Sequence, residues 1–230
     1  MKYKVLLFDA DNTLFDFDAC EKRALKLVFE RHGILLDAQM NACFHSINND
    51  LWSRYESGEL SRDEVVFTRF GILFDRFHLD HDGVQFERAY QRELANGHQL
   101  LPDAFSLISQ LCKDFRLFLV SNGVVETQYK RLHDSGLYPF FEHIFLSEEV
   151  GYRKPQPEFF TPVLQAALPS SKKELLLIGD SLSSDIAGAN RIGLDCVWMN
   201  RHQAAYRGEL RIDHEITKLS ELLKIIYQDG

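Results

Sequence analysis

The chain has 230 residues, 45% hydrophobic and 26% charged, which is enough to bury a sizeable core in one or two domains and excludes a low-complexity or disordered protein. With 26 basic against 34 acidic side chains the net charge is −8, which argues against a nucleic-acid polymer or an anionic membrane as partner. No apolar run reaches the length of a membrane span or a signal region, and Cys20, Cys43, Cys112 and Cys196 lack the paired spacing of a disulfide framework or zinc site, so a cytoplasmic location is expected.

The first predicted element is a strand, Val5 to Phe8, whose unbroken apolar run implies burial on both faces. It ends in Asp9-Ala10-Asp11-Asn12-Thr13, so two carboxylates are crowded at its carboxyl end, the edge where open α/β sheets bind ligands. Such a pair calls for a compensating cation, and an oxygen-rich site beside phosphate suits Mg²⁺. One carboxylate is then available as nucleophile and its neighbour as proton carrier.

Residues 18 to 95 follow with helical periodicity and no strand. Ala24, Leu25, Val28 and Phe29 share one face; Met40, Phe44, Ile47, Leu51 and Tyr55 share a second. Ser61-Arg62-Asp63-Glu64 forms a capping box ahead of Val66, Phe70, Leu73 and Phe74, and Phe86, Tyr90 and Leu94 align a fourth helix. The pattern predicts a four-helix cap, residues 16–97, inserted into a catalytic core of 1–15 and 98–230.

From Pro102, placed at a first helical position, strands and helices alternate. Strands are expected at 116–120, 144–146, 175–178 and 195–199, with a final helix from Leu219 to Tyr227. This alternation predicts an α/β fold with a doubly wound, mainly parallel sheet. Parallel strands place their carboxyl ends on one edge, which gathers Asp9 and Asp11, Ser121 and Asn122 after the second strand, Lys154 in a proline-flanked loop, and Asp180 and Asp185 after the fourth.

Each of these groups has a task in phosphoryl transfer. Mg²⁺ held by Asp9, Asp11 and Asp180, with Asp185 as an outer ligand, would relieve repulsion between a carboxylate and a phosphate dianion. Lys154 adds positive charge, while the Ser121 hydroxyl and the backbone N–H at Asn122 can bind phosphoryl oxygens.

Those four ordered segments resemble the motifs of the haloacid dehalogenase superfamily, with its Rossmann-like core, although many members carry Gly where Asn12 stands. Within it, the overall run is similar to bacterial pyrimidine 5′-nucleotidases. The resemblance implies that Asp9 attacks phosphorus to form an aspartyl-phosphate. Asp11 would then protonate the leaving oxygen and later deprotonate water, and its backbone carbonyl would join Asp9 and Asp180 as a metal ligand. Dehalogenases of this superfamily lack the second acid, so Asp11 favours phosphate chemistry. The expected partner is a small phosphorylated metabolite, a nucleoside monophosphate first, with phosphoglycolate or a sugar phosphate as alternatives. A phosphomutase would share this core. Gly179-Asp180-Ser181-Leu182 also matches a serine-esterase signature, and receiver-type phospho-switches share the acid–Ser–Lys set but lack a cap.

Replacement Asp11→Asn is expected to abolish most turnover while the circular dichroism spectrum stays unchanged. Near-normal phosphatase rates in that variant would remove Asp11 from the mechanism.

Overall fold

The computed structural model describes residues 1–228. In chain order, β1 (Val5–Phe8) is followed by α1 (Phe17–Arg31), α2 (Ala38–Ser57), α3 (Arg62–Arg76) and α4 (Gly83–Ala95). Then come α5 (Ala104–Leu111), β2 (Arg116–Ser121), α6 (Val125–Asp134), β3 (His143–Leu146), α7 (Ser147–Val150) and α8 (Phe160–Ala167). The chain continues through β4 (Leu175–Gly179), a π-helical turn at Leu182–Ile186, α9 (Ala187–Ile192), β5 (Asp195–Met199), β6 (His214–Ile216) and α10 (Leu222–Gln228). The backbone divides into two compact units, Asp18–Gly97 and the remainder. Among the described helices none is long and apolar enough to cross a membrane.

In the α/β unit six described strands form one sheet in the order β3-β2-β1-β4-β5-β6, every pair parallel. Alternation along each strand sends side chains to opposite faces. Leu6, Phe8, Leu119, Ile178 and Val197 pack with Ala104, Ile108, Leu132 and Leu222 from α5, α6 and α10. Val5, Leu7, Val120, Leu177 and Cys196 pack with Phe160, Val163 and Ala189 from α8 and α9. Both faces are therefore covered by helices, which is why the strands read as continuous apolar runs.

Two local expectations are corrected. The helix expected at Pro102 begins at Ala104, because Asp103 takes a left-handed conformation (φ +67°) and caps it without a side-chain bond. A sixth strand, β6, went unrecognised: its three residues offer a single buried apolar side chain, Ile216, too little for a period to register. The capping box is present as expected, with Ser61 and Glu64 bonding reciprocally to each other's backbone N–H. All four cysteines are free, Cys20 and Cys196 buried, Cys43 and Cys112 half-buried.

The helical unit is packed around rings: Phe86 lies 4.8 Å from both Phe29 and Phe70 and 4.9 Å from Phe74, with edge-on or tilted planes. Within this apolar interior lies an ion pair. Arg69 donates to both oxygens of Glu87 (2.8 and 2.7 Å) and to Asn48 (2.7 Å), and its guanidinium sits 4.8 Å over the Tyr90 ring. Its pKa is raised further because Glu87 outweighs burial, so the arginine stays charged.

Losing one partner of such a pair strands a buried charge, whereas losing both does not. Arg69→Met should cost about 3–5 kcal/mol of stability in urea unfolding, and adding Glu87→Leu should recover most of that loss. Equal destabilisation of the single and double variants would contradict this account.

Candidate active site

The site is built at the carboxyl ends of β1, β2 and β4. Register sets it: Phe8 pairs with Leu119 on one side and Ile178 on the other, and the Asp9 N–H continues the ladder to the Ile178 carbonyl at 2.9 Å. Asp9 and Asp180 thus leave adjacent strands side by side. Lys154 reaches them from the loop after α7. Its ammonium donates to Asp9 Oδ1 (2.7 Å), Asp185 Oδ1 (2.7 Å) and the Val120 carbonyl (2.8 Å). Three bonds use all three hydrogens of the ammonium, and the side chain is 1% exposed.

Asn122 holds that loop. Its amide donates to the Lys154 carbonyl and accepts from the Lys154 N–H, both at 2.9 Å. The Asn122 side chain is therefore spent on placing the lysine. Ser121, buried at the end of β2, accepts from the Gly123 N–H (3.0 Å) and the Gln128 amide (3.3 Å). With both lone pairs occupied, the remaining capacity of the hydroxyl is its own hydrogen, a donor.

Asp9, Asp180 and Asp185 each present a carboxylate oxygen within 4.8 Å of the others. Asp185, expected as an outer ligand, lies beside Asp9 and Asp180, with its Oδ1 accepting from Lys154 and its Oδ2 from the Ser181 N–H at 3.1 Å. Gly179 permits that approach, since a Cβ there would stand 2.3 Å from the Asp185 carboxyl carbon. Ser181 caps the π-helical turn, accepting from the Ser184 N–H and bonding Ser183.

Charge is out of balance in this cluster. Three carboxylates face one lysine, so with all three ionised the group would carry two uncompensated negative charges. Burial, then the Asp185 and Asp11 charges, push the Asp9 carboxyl up to about 7 against the opposing pull of Lys154. Burial followed by Asp9 and Asp185 raises Asp180 well above the carboxylate range. Burial disfavours the Lys154 charge, but Asp185 and Asp9 outweigh it and hold the ammonium protonated. A clustered donor set made wholly of oxygens, carrying surplus negative charge, fits a hard divalent cation such as Mg²⁺.

Asp11 stands apart from this trio. Its Oδ1 accepts from Arg131 Nη1 and its Oδ2 from Gln128 Nε2, each at 2.5 Å. Asn12, between Asp11 and Thr13, has φ +57°. That left-handed conformation is free to glycine and tolerated by asparagine, which explains why Asn can stand where relatives of the motif carry Gly. Its Oδ1 accepts from Arg201 at 3.1 Å. Thr13 is buried, and its hydroxyl has no hydrogen-bond partner among the described residues. Sequence reasoning missed Gln128, Arg131 and Arg201. The first two sit three apart just after the Ser121 turn, which is a same-face helical spacing, but polar helix residues read as a solvated surface.

Comparison with known proteins agrees with this architecture. A profile of the haloacid dehalogenase-like hydrolases matches residues 3–193. The HAD-hydrolase YfnB of Bacillus subtilis is 46% identical over 98% of this chain and 96% of its own. Its magnesium-bound crystal structure superposes with a TM-score of 0.93, covering 99% of this chain and 100% of that one. Pyrimidine 5′-nucleotidase PynA of Streptococcus pneumoniae is 36% identical over 97% and 94% of the two chains, and pyrimidine 5′-nucleotidase YjjG of Escherichia coli 27% over 98% and 99%.

The surplus negative charge has a measurable consequence. Asp180→Asn should raise the melting temperature of the protein in EDTA by relieving like-charge repulsion. It should also shrink the stabilisation that Mg²⁺ confers on the wild type, about 2.7 kcal/mol at a hundredfold excess over Kd. An undiminished magnesium increment would exclude Asp180 from the cation site.

Proposed function

The chain belongs to the haloacid dehalogenase-like hydrolase family, and from that premise we propose that it is a magnesium-dependent phosphomonoesterase whose preferred substrates are nucleoside 5′-monophosphates. The observation that carries the reading is the separation of two acids only two residues apart. Asp9 is tied to Lys154 within the acidic trio, and Asp11 is tied to Arg131 and Gln128 outside it. Two carboxylates in such different surroundings suit different tasks.

With Oδ1 of Asp9 engaged by Lys154, Oδ2 attacks phosphorus. The ester P–O bond breaks, its electron pair passes to the leaving oxygen, and Asp11 supplies the proton that makes the product an alcohol. Water then attacks the aspartyl-phosphate and gives a proton back to Asp11. The bond to Asp9 breaks, and inorganic phosphate and the free carboxylate are restored. Ser121 donates its hydroxyl hydrogen to a phosphoryl oxygen, joined by the backbone N–H at Asn122. Lys154 keeps Asp9 oriented and offsets part of the incoming dianion's charge. Mg²⁺, held by Asp9, Asp180 and the Asp11 carbonyl with Asp185 alongside, would supply Lewis-acid polarisation of the phosphoryl oxygens.

The nucleotide preference rests on likeness to two relatives named pyrimidine 5′-nucleotidases. The helical unit serves as the cap and sets substrate choice. Ser181 takes no nucleophilic part, because its hydroxyl caps the turn that carries Asp185.

Phosphate release should favour pyrimidine nucleoside monophosphates over ribose 5-phosphate and phosphoglycolate by about tenfold or more in kcat/KM, which corresponds to ~1.4 kcal/mol of transition-state binding. EDTA and Asp9→Asn should each remove the activity, and Ser181→Ala should not. A flat profile across the panel would defeat the nucleotide assignment while leaving the phosphatase reading in place.

A further inference from the structure

We propose that Gln128 and Arg131 are positioning residues for Asp11, holding both oxygens of its carboxylate so that the proton-transfer group keeps one orientation beside the acidic trio. The inference rests on the reading of Asp11 as proton carrier and adds what places it.

The geometry is that of a clamp. Asp11 is 27% exposed and sits on a turn, where a short side chain can rotate. Arg131 meets one oxygen and Gln128 the other, both at 2.5 Å, from neighbouring positions on α6. Both clamp residues are buried, Arg131 completely. Burying an arginine is costly unless its charge is paired and its plane fixed. Here the guanidinium lies 4.3 Å over the Phe15 ring, with Phe17 at 5.8 Å, and these aromatics set the plane from which Nη1 points.

Two further observations separate this arrangement from an ordinary ion pair. Gln128 also donates to Ser121 Oγ at 3.3 Å, so one amide spans the proton carrier and the phosphate-binding hydroxyl. Gly123 makes room for that amide: a Cβ at position 123 would stand 2.2 Å from Gln128 Nε2. A pair serving stability alone would need neither the bridge nor the space cleared for it. Each Asp11 oxygen retains a lone-pair site beyond the one the clamp occupies, and proton exchange with the substrate uses those. A general acid must come within about 2.6–3.2 Å of the oxygen it protonates, and a misplacement of ~1 Å can cost about a hundredfold in rate. The clamp thus acts on turnover rather than on substrate affinity.

The test compares two substrates. Uridine 5′-monophosphate has an alkoxide leaving group that needs a proton; p-nitrophenyl phosphate has a phenolate that does not. Gln128→Met and Gly123→Ala should each lower kcat on the nucleotide about 10–100-fold, with KM changed less than about threefold, while the pre-steady-state burst of p-nitrophenolate, which precedes the water step that also uses Asp11, keeps nearly its wild-type rate. Arg131→Lys, which keeps the charge, should retain more nucleotide turnover than Arg131→Met; if the Arg131 variants do not fold, the other two variants decide the matter. A p-nitrophenolate burst slowed as much as nucleotide turnover, or no loss of nucleotide turnover, would overturn the clamp. Asp11→Asn is the reference. If it turns over the nucleotide normally, the reading of Asp11 falls and the clamp with it. If it is inactive while Gln128→Met and Gly123→Ala match the wild type, the clamp alone falls.

Discussion

The ammonium of Lys154 is the interaction on which the rest of the site depends. It is buried, and its three hydrogens are distributed over Asp9, Asp185 and the Val120 carbonyl. Those partners come from β1, from the π-helical turn behind β4, and from β2, so one charge ties together three consecutive segments of the sheet edge. A buried charge is tolerated only when paired and fully bonded. The lysine is therefore held in place by its acids as firmly as it orients them, and Asn122 fixes the loop from which it projects.

One ammonium does not neutralise three carboxylates, and the deficit has a functional meaning. In the folded protein burial and the Asp185 charge raise both Asp9 and Asp180 above the ordinary carboxylate value, and the Asp9 charge adds to the shift at Asp180. In the proposed reaction Asp9 must be ionised, and a divalent cation at this cluster would restore the charge balance. Mg²⁺ suits it by charge and by ligand type.

The second acid is kept from this competition by a separate set of contacts. Asn12 turns the chain through a left-handed residue between Asp11 and Thr13, and Asp11 meets an arginine and an amide presented by α6. Glycine appears where side chains would collide with the acids or their supports: Gly179 clears Asp185 and Gly123 clears Gln128. Small residues thus do for the site what large ones do for the sheet, setting how closely parts approach.

The sequence by itself determined the alternation of strands and helices, the helical insertion, and the residue types at the strand ends. These are local properties: apolar periodicity records which face is buried, and an acid at the end of a buried strand has little else to do. Tertiary structure alone decided which of those acids cluster together, where Lys154 spends its hydrogens, and what holds Asp11. It also decided β6, a three-residue edge strand with too little pattern to read. Arg131 and Gln128 lie 120 and 117 residues from Asp11, and their helix looks polar and exposed until the parallel sheet folds it against the first turn. Contacts between groups so distant are set by packing of whole elements, and no local window of residues contains that information.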